Sequence, residues 1–347
     1  MPIQGPSAPQ EPLPFFHSNK QADDAIKQFS GASVIGGTCY IDMGEFQMWP
    51  VAGNLTDTAT LQSKLAALYS TLNKEGVNQI NLSFSQLPNI PNLDNQTASQ
   101  ATTSDTLLPW AQSHMSSDPS MSPLKFLCTQ AHTAGIKVDL SFGGESASEN
   151  PADMTIPGDG KQTANTLSQF MDNTGIDSVD FDIEGSATIG GNADDFFTQL
   201  HSNLSNENPP KQSTLTVEGS YSDQNVLNNF SQKFDGVNLM LYDNSGPSGL
   251  DATTVSGWIQ RAGKDPSKVH IGFLGDGTYN GATGQQGGAN AAQMYQQLCT
   301  TLGIKPSDLG QPFFWEDNPV AGSNPQGDAF VQQFNNTINN IPRTPWS

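Results

Sequence analysis

Three acids alternate with three apolar residues in the stretch "VDFDIEG": Asp180, Asp182 and Glu184 follow Val179, Phe181 and Ile183, and Gly185 ends the run. A period of two marks a β-strand, whose successive side chains point to opposite faces. The carboxyl groups therefore share one face and the apolar side chains the other. Residues two apart on a strand are separated by ~6.6 Å of rise, so neighbouring carboxyl groups come close enough to interact. Ionised groups at such separations repel strongly where water is scarce. At least one acid is expected to hold a proton near neutral pH, with coupled titrations, and a carboxyl group that keeps its proton above its solution pKa is a general acid. Two other uses of an acid ladder compete. An internal ion network needs basic partners, and the chain has 14 Lys and Arg against 34 Asp and Glu. A carboxylate cage for a cation, as in the EF-hand, sets its acids on a turn with a glycine inside, whereas this stretch is a strand.

Such a strand needs apolar cover on one side and a guarded space on the other. From about residue 30 onward, strand-like runs alternate with helix-like ones. The strand candidates begin at Ser33, Val77, Gly135, Ile176, Ser213, Phe234, Val269 and Gln311. The helix candidates begin at Ala59, Ser122, Gln162, Asn192, Ser222, Thr253, Ala289 and Gly327. In "SPLKFLCTQAHTAG", Pro123 lies just inside the expected start and Gly135 just past the end, the usual asymmetry of helix termini. An unbroken series of about eight βα units predicts an α/β chain folded as a single (β/α)8 TIM barrel over residues 31–347, in preference to a doubly wound open sheet, which the count disfavours only modestly. Residues 1–30 read as a Pro-rich N-terminal arm. The acid ladder then lies at the C-terminal end of the fourth strand, where barrel enzymes keep their chemistry.

Composition narrows the partners. The formal net charge is -20, which argues against nucleic acid and against an anionic membrane surface. A neutral or cationic substrate suits that field, although solubility is the simpler account of the charge. Cys39, Cys128 and Cys299 are few and far apart, so free buried thiols are expected rather than a disulfide framework or a zinc site. The five histidines show no metal-ligand spacing. The first residues lack the basic start and continuous apolar run of a secretory signal.

With these residues in view, the chain resembles glycoside hydrolase family 18, the chitinases and their relatives. "DSVDFDIEG" contains Asp177, Asp180, Asp182 and Glu184 in the family's D-x-x-D-x-D-x-E order. "SFGG", with Ser141 and Gly143, resembles its S-x-G-G on the third strand, and "MLYD", with Met240, Tyr242 and Asp243, its M-x-Y-D on the sixth. Trp315 in "FFWED" resembles the eighth-strand tryptophan that floors the site. The resemblance implies a substrate-assisted, retaining mechanism. Glu184 would protonate the glycosidic oxygen while the sugar's 2-acetamido oxygen attacks the anomeric carbon. Asp182 would orient the acetamido N–H, Asp180 with Ser141 would hold or share the proton, and Tyr242 would bond the acetamido oxygen. Asp243 and Trp315 would bind the sugar, with Tyr40 and Phe84 in the core or the cleft floor.

The departures from the family pattern matter too. Ser178 stands where relatives commonly carry glycine, and Glu145 where many carry an aromatic platform. Asp139 and Glu218 find no place in the pattern. The stretch from Gly275 to Gln311 is too short for the α+β module of some relatives, so an open cleft without that insertion is expected. Trp49 and Trp110 are weaker candidates for sugar subsites. The leading function is an endo-acting chitinase. An endo-β-N-acetylglucosaminidase on N-glycan cores would use the same residues, and an inactive sugar-binding protein on the same fold is the third possibility, although such relatives usually lack the Glu184 carboxyl. The resemblance implies no cofactor, a secreted protein, chitin or N-acetylglucosamine oligosaccharides as partners, and a monomer.

Overall fold

Val179, Phe181 and Ile183 are buried, and so are Asp180 and Asp182 on the opposite face of the same strand. A strand covered on both sides belongs in a parallel sheet wrapped by helices. The computed structural model describes residues 36–42, 58–90, 123–242, 251–275, 278–279, 282–315 and 325–339. At its centre eight parallel strands close into a barrel. They are β1 (Gly37–Asp42), β2 (Val77–Ser85), β3 (Lys137–Gly143), β4 (Ser178–Ile183), β5 (Gln212–Val217), β6 (Gly236–Leu239), β7 (Val269–Leu274) and β8 (Phe313–Trp315). Neighbours around the barrel are neighbours in sequence, and β1 pairs with both β2 and β8 to close the ring. Each of the eight strand candidates supplies one barrel strand.

The helices are α1 (Thr58–Glu75), α2 (Pro123–Thr133), α3 (Gly160–Thr174), α4 (Ala193–Ser205), α5 (Gln224–Leu227), α6 (Ala252–Arg261), α7 (Gly284–Leu302) and α8 (Pro325–Asn339). Their ends follow local chemistry. Asp159 accepts a hydrogen bond from Gln162 N at the start of α3, and Asp251 accepts from Thr253 N and Thr254 N at the start of α6. The helix expected from Ser222 is broken: α5 is a single turn, and a 3-10 turn at Phe230–Gln232 follows it. Asn229 between them takes a left-handed φ of 55°, which ends an α-helix. The seventh helix starts earlier than its Ala-rich stretch, at Gly284. There Gly288 lets α8 approach, since a Cβ would lie 2.2 Å from Phe330 O.

The apolar face of β4 is held by rings. Phe181 stacks on Phe142 of β3 at 5.7 Å and meets Phe197 of α4 edge-on at 4.9 Å. Phe196 and Phe234 complete the cluster. Across the barrel, Phe273, Phe314 and Phe334 form a second such group. The three cysteines are buried thiols outside any disulfide. Between β7 and β8 the described residues hold only α7, a two-stranded ribbon of Thr278–Tyr279 and Ala282–Thr283, and a 3-10 turn. No helix among the described residues is long and apolar enough to cross a membrane. The N-terminal arm, Trp49, Trp110 and Asp243 lie outside the described residues.

Phe181→Ala removes a fully buried ring from the centre of the aromatic cluster, so it should lower unfolding free energy by about 3–5 kcal/mol. Denaturant titration of the variant against the wild type measures this.

Candidate active site

The strand register determines what Asp180 meets. Its Cα partner on β3 is Ser141 and on β5 is Thr214; Asp182 pairs with Gly143 and Thr216, and Thr216 in turn with Asn238 of β6. The inward faces of these strands are polar where a barrel of this kind usually carries Val, Ile and Leu. The Asp180 carboxylate is 0% exposed and is ringed by donors. Ser141 Oγ and Tyr40 OH donate to Oδ2 at 2.8 and 3.0 Å. Thr214 Oγ1 and Thr216 Oγ1 donate to Oδ1, each at 2.7 Å, and Asn238 Nδ2 adds a bond of 3.1 Å.

Burial raises the Asp180 pKa, and the hydroxyl donors pull against that rise without cancelling it. The proton count points the same way. Tyr40 OH and Thr216 Oγ1 lie 2.8 Å apart, yet each spends its proton on Asp180, which leaves their mutual contact without one. A protonated Asp180 can donate to one of them and free a proton for that contact. Tyr40 is itself held far in its neutral form by burial, then by the charges of Asp180 and Asp182.

Asp182 is 1% exposed and sits one inward step above Asp180. Its backbone carbonyl explains the double glycine of "SFGG". A Cβ on Gly143, whose φ is 114°, would lie 2.0 Å from Asp182 O. Gly144 N donates to that same oxygen at 3.0 Å, and a Cβ on Gly144 would strike the Phe84 ring at 2.7 Å. Glycine is the residue that fits both places. Glu184 follows the last ladder residue of β4 and is half-buried at the C-terminal mouth.

An aromatic floor adjoins the acids. Trp315 stacks on Phe84 at 5.3 Å and meets Tyr40 edge-on at 5.6 Å. Tyr40, Met240 and Phe313 form a buried cluster with Tyr242 and Trp315 packed on it. The structure thus gathers Asp180, Asp182, Ser141, Gly143, Tyr40, Phe84, Met240, Tyr242 and Trp315 around one end of the barrel. Asp177, the first acid of the motif, is used elsewhere: Oδ2 accepts from Val138 N and pairs with His132 Nε2, both at 2.8 Å, tying β4 to β3 and α2. Thr214, Thr216 and Asn238 are the residues that the sequence reading missed. Their signal was present, as polar residues alternating with Leu215, Val217, Val237 and Leu239 on the strands next to the acids.

The model of the family described as Glycosyl hydrolases family 18 matches residues 54–339. No curated protein matches the sequence. Among solved structures, a family 18 chitinase of Flavobacterium johnsoniae superposes with a TM-score of 0.54 at 12% identity, covering 88% of this chain and 94% of its own. A family 18 chitinase of Pseudoalteromonas aurantia gives 0.51 at 16% identity, covering 86% and 100%. An endo-beta-N-acetylglucosaminidase of Cordyceps militaris gives 0.53 at 17% identity, covering 94% and 97%. At these identities the likeness to solved structures is one of fold.

Asp139 and Ser178, both outside the motif pattern, turn out to be partners. They are Cα neighbours on β3 and β4, and Ser178 Oγ donates to Asp139 Oδ1 while Gln79 Nε2 donates to Oδ2. Burial raises the Asp139 pKa to about 7; the two donors oppose that, and the charges of Asp177 and Asp180 add to it. The folded state therefore binds this proton more tightly than the unfolded chain, whose Asp titrates near ~3.9. Stability from this group is complete below pH ~4 and is lost as pH rises through 7, by an amount on the order of 4 kcal/mol at full ionisation. Asp139→Asn removes the titration. Between pH 5 and pH 8 its melting temperature should fall by less than that of the wild type, as paired thermal melts will record.

Proposed function

The chain belongs to the glycosyl hydrolases of family 18, and on that premise we propose that it is an endo-acting chitinase. In this reading it hydrolyses β-1,4-N-acetylglucosamine linkages with retention, using the substrate's own acetamido group as nucleophile. The observation that carries the reading is the inward column Asp180, Asp182, Glu184, with its lowest member buried among five donors and its highest at the mouth of the barrel.

The roles are those the family resemblance implies for the matching residues. Glu184, the acid at the mouth, gives its proton to the glycosidic oxygen as the bond to the leaving sugar breaks. The acetamido oxygen closes on the anomeric carbon and forms an oxazolinium ion. Asp182 accepts the acetamido N–H and offsets the positive charge that spreads onto that group. Asp180 supports this change: held by Ser141 and its other donors, it keeps or shares a proton according to the charge on Asp182. Tyr242 bonds the acetamido oxygen. Glu184, now ionised, takes a proton from the water that opens the oxazolinium ring. Trp315 and Phe84 offer the apolar face on which a pyranose stacks.

Endo action follows from an open cleft. Glu145, where many relatives carry an aromatic platform, is exposed. Without a platform at that position a sugar chain is held more loosely in register, which favours cutting within the chain over sliding along it.

Glu184→Gln keeps the side-chain shape and removes the titrating proton. Turnover should fall by about a hundred- to ten-thousand-fold, while binding of N-acetylglucosamine oligomers in calorimetry persists. Fully deacetylated chitosan should resist the wild-type enzyme, and a thiazoline mimic of the oxazoline should inhibit competitively. Cleavage of a high-mannose glycoprotein in place of chitin oligomers would reassign the substrate to N-glycan cores and keep the same residues.

Soluble chitin derivatives should lose viscosity before many reducing ends appear. Release of disaccharide from the outset at nearly constant viscosity would refute the endo mode.

A further inference from the structure

Glu184 stands where the ladder of β4 has ended, since the last paired residue is Ile183. Two side chains that lie beyond the ends of the neighbouring strands bond the backbone there. Glu184 N donates to Ser148 Oγ at 2.9 Å, and the next amide, Gly185 N, donates to Glu218 Oε1 at 3.2 Å. Ser148 closes the helical turn Glu145–Ser148 that follows the double glycine of β3, and its own N–H bonds Gly144 O at 2.9 Å. Glu218 follows the last residue of β5. The alternation Thr214, Thr216, Glu218 puts it on the inward side, and since Asp182 pairs with Thr216, Glu218 continues the register beside Glu184. Gly185 takes a left-handed φ of 60°, so the chain turns away immediately after the acid. Farther along the same loop, Ile189 N donates to Asp223 Oδ2 at 3.2 Å.

We propose that Ser148 and Glu218 are positioning residues that clamp the two amides flanking Glu184 and so hold its carboxyl group at the glycosidic oxygen. The inference rests on Glu184 as proton donor. Proton transfer demands hydrogen-bond distance between donor and leaving oxygen. A free loop end would let the acid drift, and a displacement of ~1 Å can cost ~100-fold in rate. A carboxylate suits the second position because a charge-assisted bond to an amide is about twice as strong as a neutral one. Neither clamp residue belongs to the aromatic floor, so the clamp is expected to act on kcat more than on KM.

Steady-state kinetics on a fluorogenic N-acetylglucosamine oligomer test the clamp, with Ser148→Ala, Glu218→Ala, Glu218→Gln and Glu184→Gln compared and melting temperatures recorded. Glu218→Ala should lower kcat by about tenfold with KM within about twofold of wild type. Ser148→Ala should act in the same sense. Glu218→Gln keeps an amide oxygen that can accept from Gly185 N, so it should recover most of kcat. If Glu184→Gln is inactive while both alanine variants keep wild-type kcat, the clamp is wrong and the proton-donor reading stands. Equal losses in Glu218→Ala and Glu218→Gln would also overturn the clamp, since the accepting oxygen would not be what matters. Normal turnover in Glu184→Gln would overturn the proton-donor reading and the clamp's purpose with it.

Discussion

A carboxyl group with no exposure to water has to find its hydrogen bonds inside the protein, and that demand from Asp180 shapes the barrel interior. The donors come from four strands besides its own: Tyr40 from β1, Ser141 from β3, Thr214 and Thr216 from β5, and Asn238 from β6. Those positions cannot carry the aliphatic side chains that ordinarily fill such a barrel. Tyr40 must also reach across the interior, so its ring is packed by Phe313 at 5.4 Å and by Trp315. The aromatic floor is thereby tied to the buried acid. A shift in one strand's register would break the donor ring and the floor together.

Apolar packing is displaced to the outer faces of the strands. Phe181, on the same strand as Asp180, lies in a cluster of rings drawn from β3, β4, α4 and the turn before β6. Every ring in it is buried, and none reaches the interior polar network. One strand thus anchors the barrel to its helices on one side and presents acids on the other. A site held by strands in this way keeps its geometry better than one carried on loops.

The polar interior also makes stability depend on pH. Asp139, one inward step below Ser141, is a second buried acid whose ionised form the fold disfavours. Its Ser178 partner replaces the glycine expected at that point, so two departures from the family pattern form one contact. At the mouth the backbone does the positioning. The Gly143–Gly144 turn packs against the Asp182 carbonyl, and the turn that follows it brings Ser148 to Glu184. The third, fourth and fifth strand ends are joined there by hydrogen bonds to backbone amides. Such bonds constrain where the peptide that carries Glu184 lies.

The sequence alone determined the eight strands, most of the helices and the face on which the acids stand. Those features depend on periods of two and of 3.6 and on local caps, which are written within a few consecutive residues. Asp180, Asp182, Glu184, Ser141 and Trp315 were legible because the family motifs are compact and lie on those strands. The broken helix at Asn229 was not, since its stretch is amphipathic and only the left-handed φ interrupts it. Tertiary structure alone decided that Thr214, Thr216 and Asn238 serve Asp180, that Tyr40 is a donor as well as a ring, that Asp139 pairs with Ser178, and that Glu218 holds Gly185. Each of these contacts joins residues on different strands. Which residues meet is set by the stagger of the strands around the closed barrel, and no local pattern in a single strand encodes that stagger.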